Sequence, residues 1–287
     1  MLVIYLRMKQ NTAIVTQQAC LKAVLSWALI LSMFCLGLIG CSSVPQNKVA
    51  GANMDGSASR VWQPEDQLKW ETVKLPGKQN TQYALVKRNS LSRLQAQAQS
   101  SASMLRKTLH VPADQLNALS FAWQVPQLIA SADMAQREHD DSPVRLVLAF
   151  EGDRSQFSAK NAMLNELTQV ITGEPMPYAT LMYVWCNQRP VGTVIQNPRT
   201  DRIRKIVVES GSDRLNQWLS YERNIRADFE KAFGETPGAL IGIGLMTDTD
   251  NTRSQAQAWY GTIQLFYRGA SRHVYLHLSV GPVFFVC

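Results

Sequence analysis

Apolar and polar residues alternate along much of the chain after Val61. Leu119, Phe121, Trp123 and Val125 fall on one side of an extended segment, with Ser120 and Gln124 opposite. Val144, Leu146, Leu148 and Phe150 repeat the pattern with Arg145 on the other side, and Leu181, Tyr183 and Trp185 form another such face. A period of two marks a strand with one buried face. Residues 203–208 and 239–246 are apolar runs suited to buried strands, and 260–267 adds one more. The Gln/Ala stretch around Leu94, Ala96 and Ala98 is a strand by the same rule, not low complexity.

Helical spacing occupies three stretches. Residues 129–137 form a short one. Residues 161–171 place Met163, Leu164, Leu167, Val170 and Ile171 on one face. Residues 212–233 carry Leu215, Trp218, Leu219, Ile225, Phe229 and Phe233 in a broad stripe, with a break foreseen near Ser220. Ser212 or Asp213 caps its start, Gly234 ends it, and Pro237 follows. Many strands, Gly/Asn/Pro-rich turns and few helices predict a mainly β fold: a β-sandwich, jelly-roll-like, with a few inserted α-helices. Strands and helices do not alternate as a doubly wound sheet requires, and no repeat of fixed period is present.

The first forty residues follow different rules. Arg7, Lys9 and Lys22 are the charged residues before position 41, and residues 23–40 are an uncharged, largely apolar run. A cationic start followed by such a run is the pattern of a secretory signal; an uncleaved spanning helix is the rival. Leu38-Ile39-Gly40-Cys41 resembles the bacterial lipoprotein signal. That resemblance implies cleavage before Cys41 and a diacylglycerol on its thiol. Ser42 stands where an Asp would resemble the inner-membrane retention signal, which favours the outer membrane, with the folded part in the periplasm. Met8-Lys9 makes a more ordinary signal start than Met1. Residues 41–60, rich in Ser, Gly, Ala and Asn, are expected to be a flexible tether. A single domain is expected over 61–267. The apolar end at 268–287 is left open between an edge strand and an irregular tail.

Of 287 residues, 46% are hydrophobic and 18% charged, a balance that fits a folded protein. Lys and Arg number 29 against 22 Asp and Glu, with no basic block, so nucleic acid is not the expected partner. Five cysteines are too scattered for a disulfide scaffold or a zinc site. Cys186 and Cys287 are left open between one disulfide and a buried thiol at Cys186.

Several short blocks keep a common order: Trp123, Arg137-Glu138-His139-Asp140-Asp141, Tyr183-Val184-Trp185, Asn197-Pro198-Arg199-Thr200, Glu222-Arg223-Asn224, Asp228, Phe233-Gly234, residues 247–252 and Tyr260-Gly261. Together they resemble the bacterial family called domain of unknown function 3047, over most of 61–266. The resemblance implies one exported domain and supplies no reaction.

The candidate chemistry is acidic and aromatic. Asp248, Asp250 and Asn251 sit on one turn after an apolar run and are candidate ligands for Ca2+, a hard cation that takes several oxygens. The alternative is a turn whose Asp and Asn satisfy its own backbone. His139, Asp140, Asp141 and Asp228 are candidate acid–base groups, weighed against a solvated turn with salt bridges to Arg223 or Arg226. Trp62, Trp70 and Trp259 are the tryptophans expected at the surface as a sugar platform, with Trp123, Trp185 and Trp218 assigned to the core. Gly242 and Gly244 do not make a dinucleotide loop, because Thr247 takes the third position and acidic residues follow. Three functions stay open: a lipid-anchored module binding a glycan or another envelope component, an envelope polysaccharide hydrolase using paired carboxylates, and a scaffolding lipoprotein that binds another protein.

Overall fold

The computed structural model describes residues 57–88 and 90–268. The leader, both candidate starts, Cys41, the tether through residue 56 and the tail from 269, with Cys287, lie outside the described residues.

Thirteen strands among the described residues build two sheets. The first holds β1 (Ser57–Trp62), β3 (Gln82–Arg88), β4 (Leu91–Gln99), β6 (Leu116–Gln124), β11 (Leu219–Asn224) and β13 (Gln255–Arg268). Its order is β11-β6-β13-β4-β3, and β1 pairs with the second half of β13, past the end of β4. The second sheet runs β2 (Glu71–Lys74), β5 (Ala102–Val111), β12 (Leu240–Asp248), β7 (Ser142–Phe150), β8 (Ala179–Cys186), β10 (Ile203–Ser210), β9 (Val194–Gln196). Its β8–β10 pair is parallel. Helices α1 (Pro64–Gln67), α2 (Ala159–Thr172) and α3 (Ile225–Phe233) are insertions. Among the described residues no helix is long and apolar enough to cross a membrane.

The alternating faces explain the sandwich. Leu119, Phe121 and Trp123 of β6 meet Leu146, Leu148 and Phe150 of β7 and Leu181 and Tyr183 of β8 in one core. Phe121 stacks on Tyr183 with ring centroids 5.6 Å apart. Each such side chain contributes about 1.5–3 kcal/mol on leaving water. A smaller cluster lies on the opposite face of the seven-stranded sheet, where Val184, Cys186, Ile195 and Val207 are covered by Met134. Cys186 is a buried thiol in that cluster.

Three sequence expectations are corrected. Residues 129–137 are not a helix; only Arg137–His139 makes a 3-10 turn. Side chains from β10 and from the bend after β8 take carbonyls that a helix would use: Lys205 Nζ donates to Met134 O and Asn187 Nδ2 to Ile129 O. Residues 212–233 divide. Leu219–Asn224 pairs with β6 as a strand, and only Ile225–Phe233 is helical, capped by Asn224 rather than by Ser212 or Asp213. Gly234 does end it, at a φ of 74°. Ser57–Arg60, expected in the tether, lies in β1, because β13 outruns β4 and leaves an edge to pair. Helix α2 forms as expected, and its apolar stripe is open to solvent: Met163, Leu167, Val170 and Ile171 are all exposed, Val170 by 84%.

Candidate functional site

The acidic residues gather at one end of the seven-stranded sheet. Asp140 and Asp141 immediately precede β7, and Asp248 ends the neighbouring β12, opposite Ser142. Asp248 is 3% exposed and accepts from Arg145 Nε at 2.8 Å, Arg145 Nη2 at 3.0 Å and Ser142 N at 3.1 Å. Asp140 accepts from Lys205 Nζ at 2.6 Å, Asn197 Nδ2 at 3.0 Å and Arg145 Nη2 at 3.1 Å. Asp141 closes the turn after β12: its two oxygens accept from the backbone and side chain of both Asn251 and Thr252.

Burial sets the electrostatics. It pushes the Asp248 carboxyl up to about 6, against the pull of the Arg145 charge. It also draws the Lys205 ammonium down to about 8; the adjacent Arg145 adds to this, and Asp140 opposes it. Carboxylate oxygens of Asp141, Asp248 and Asp250 come within 4.8 Å of one another, close enough to share a cation. Asp141 enters this set although the sequence pointed to Asn251, whose amide instead donates to Asp141 and to Asp140 O. Protein donors already fill the site. Asp141 has four, Asp248 has three, and Asp250 pairs with Lys78 at 2.6 Å. A Ca2+ ion would have to displace them, so the donor set fits a self-satisfied turn better than a resident metal.

The candidate acid–base residues do not converge. Asp228 sits on α3 and is held by Arg223 and by Tyr183 Oη, partners it shares with neither Asp140 nor Asp141. His139 is half-buried, and its Nδ1 is enclosed without a hydrogen-bond partner among the described residues. Asp140 and Asp141 are buried rather than solvated, and their partners are Arg145, Lys205 and the 251–252 turn, not Arg223 or Arg226.

The tryptophans change places. Trp62 and Trp70, expected at the surface, are 8% and 6% exposed and meet edge-to-face in the core. Trp218, assigned to the core, is 38% exposed. Trp259 is half-buried on the outer face of the six-stranded sheet, level with Gln95 on one side and Gln124 on the other.

That outer face is the second candidate. Leu94, Ala96 and Ala98 of β4 turn inward, so Arg93, Gln95, Gln97 and Gln99 turn outward. Ala258 and Tyr260 of β13 turn inward, so Gln255, Gln257 and Trp259 turn outward beside them. The register sets Gln99 against Gln255 and Gln97 between Gln257 and Gln82. Two hollows open on this face. One, of about 600 Å³, is lined by Gln79, Asn80, Gln82, Gln97, Gln99, Gln127, Gln255 and Gln257. The other, of about 500 Å³, lies between Arg93, Trp218, Gly261 and Gln264. Arg93 is held there, its guanidinium carbon 4.6 Å from the Trp218 ring centroid and its Nη1 donating to Gln124 Oε1. Sequence reasoning found the β4 strand but not what its other face offers. The period-two glutamines at 95, 97, 99, 255 and 257 were the available signal.

A sequence model for a protein family of unknown function, DUF3047, matches residues 68–264, more than half of the chain. No curated protein matches. Among solved structures, the glycoside hydrolase domain of Endo-D from Streptococcus pneumoniae R6 superposes with a TM-score of 0.31 at 9% identity, covering 68% of this chain and 21% of that one. The chain thus spans about a fifth of that protein's length. The low-affinity xylan-binding module CBM86 from Roseburia intestinalis gives 0.28 at 10% identity, over 73% of this chain and 96% of the module. Winged bean acidic lectin complexed with methyl-alpha-D-galactose gives 0.36 at 7% identity, over 74% and 98%. Overlaps this slight speak to neither site nor ligand; the sandwich rests on its own strand pairing.

Proposed function

The chain belongs to the DUF3047 family of proteins of unknown function, and from its geometry we propose that this member is a glycan-binding protein of the cell envelope. Its recognition surface is the outer face of the six-stranded sheet. One observation carries the reading: amide side chains occupy successive outward positions of β4 and β13 and line a hollow open to solvent. A primary amide donates and accepts at once, as a sugar hydroxyl does. Trp218 and Trp259 add aromatic surface on the same face. The envelope part of the proposal draws on the leader: Cys41 is the lipidated residue, and the anchor places the protein at the outer membrane, facing the periplasm.

The hydrolase reading finds less support. Asp140 and Asp228, its natural carboxylates, are each neutralised by a buried or half-buried cation, in separate networks. The scaffold reading has one observation in its favour, the exposed apolar stripe of α2.

Two measurements test the proposal. Labelled palmitate should appear on the full chain in a Gram-negative host and be absent from Cys41→Ala; equal labelling of both removes the anchor. The full chain should be retarded in affinity electrophoresis through gels containing polysaccharide. Unretarded migration through every polysaccharide removes the glycan reading.

A further inference from the structure

Which glycan the face takes follows from its charge and its direction. The two hollows contain a single charged lining residue, Arg93. Its guanidinium lies against the Trp218 ring and donates to Gln124, so it is held at that end of the face rather than in the glutamine hollow. The amides of Gln82, Gln97, Gln255 and Gln257 make no hydrogen bond to another described residue and face the open hollow. A sugar hydroxyl can use both the N–H and the C=O of such an amide, whereas a carboxylate or sulfate only accepts and would leave each amide oxygen facing another acceptor.

The two hollows lie in line along the same pair of strands. Along β4, Arg93 lines one and Gln97 and Gln99 line the other. Along β13, Gly261 lines the first and Gln257 and Gln255 the second. Between them, on adjacent strands and in register, stand Gln95 and Trp259. Arg93 to Gln99 covers six strand steps, about 20 Å at the rise of an antiparallel strand. Trp218, Trp259 and the glutamine hollow are therefore set out in a row parallel to β4 and β13, with Trp218 at one end, Trp259 in the middle and the hollow at the other end.

Resting on the glycan-binding reading, we infer that the ligand is an uncharged polysaccharide, bound as an extended chain along β4 and β13 with several sugar rings engaged at once. Both ends of the row contribute, so short sugars bind weakly and the polymer binds best.

The experiment uses the full chain in affinity electrophoresis and titration calorimetry. Neutral probes are a β-glucan, a xylan backbone and a galactomannan; acidic probes are alginate and polygalacturonate. The expected result is retardation by at least one neutral polymer, unchanged between 50 mM and 500 mM salt, with neither acidic polymer retarding it. Gln97→Ala/Gln257→Ala at one end and Trp218→Ala at the other should each weaken binding about tenfold. A disaccharide of the same neutral polymer should bind at least tenfold more weakly than the polymer. Salt-sensitive retention by an acidic polymer overturns this inference and leaves the glycan-binding reading standing. A disaccharide binding as tightly as the polymer, or only one end responding to mutation, overturns the extended binding mode. No retention by any polymer removes the glycan-binding reading itself.

Discussion

Gly261 leaves open the space that the Trp218 indole fills: a Cβ built at 261 would lie 2.5 Å from Trp218 Cζ2. Non-bonded carbons do not sit that close, so a side chain on β13 at this position and the observed place of Trp218 exclude each other. Gly261 also accepts from Gln67 Nε2 at 2.7 Å through its carbonyl, which ties β13 to α1. The residue matters for what it lacks, and it couples the strand to the aromatic end of the outer face.

Gly261→Ala should therefore move Trp218 outward. Overpacking of this kind costs about 1–3 kcal/mol, which thermal melting will read. Tryptophan fluorescence should shift to the red as the ring gains water. An unchanged melt with an unchanged spectrum would mean that the indole yields without cost.

Asp141→Ala removes the acceptor of four donors from Asn251 and Thr252. The two side-chain donors have second partners in Asp140 O and Ser254 Oγ, but the Asn251 and Thr252 backbone N–H groups have Asp141 as their acceptor. A loss of about 2–4 kcal/mol is expected on urea unfolding, from hydrogen bonds to a charged group left unmade. A loss below 0.5 kcal/mol would show that the 249–254 turn holds without Asp141.

The same cluster predicts the answer to a chelator. If protein donors satisfy Asp141, Asp248 and Asp250, EDTA leaves the melting temperature of the full chain unchanged, and added Ca2+ does not raise it. A rise with Ca2+ beyond the effect of Mg2+ would restore the metal reading, because a ligand bound to the folded state alone stabilises by mass action.

Two buried groups set opposite pH dependences. Lys205 titrates near 8 in the fold against 10.5 when unperturbed. Between these values the unfolded chain binds more protons at this site, so its contribution rises with pH; the gain is full above 10.5 and lost as pH falls through 8. Asp248 titrates near 6 against 3.8, so its contribution is full below 3.8 and lost as pH rises through 6. The difference in unfolding free energy between wild type and Lys205→Met should change by about 2–3 kcal/mol from pH 8 to 10.5. Tyrosine ionisation is common to both proteins and cancels. A flat difference would place no depressed ammonium at this position.

Val170→Glu on α2 should leave stability within about 0.5 kcal/mol of wild type, since the side chain is largely in water. A loss of 2 kcal/mol or more would mean that the stripe is covered in solution.

The strands were legible because alternation reports burial directly. Leu119, Phe121 and Trp123 on β6 and Val144, Leu146 and Leu148 on β7 are buried as their spacing requires. Residues 219–224 were not legible, because Leu219 continues a helical stripe with Leu215, Trp218 and Ile225 and equally well begins a strand alternation with Tyr221. Only the open edge of β6 decided between them. The helical spacing of 163–171 was read as it stands, but spacing alone does not supply a surface to cover the stripe.

The candidate site divides in the same way. Asp140, Asp141, Asp248 and Asp250 stood out as acidic residues in two blocks more than a hundred positions apart. Arg145 and Lys205 did not stand out, because a lone cation on the polar side of a strand looks the same whether that side meets water or a covering loop. By itself, the sequence determined the leader pattern, the family resemblance and the alternating strands, all of which are local or nearly local in the chain. Tertiary structure alone decided which cations neutralise the carboxylates, which tryptophans reach the surface, and that glutamines from β4 and β13 lie side by side. Those outcomes depend on strand register and on what covers each sheet, and both are set by contacts between residues remote in sequence.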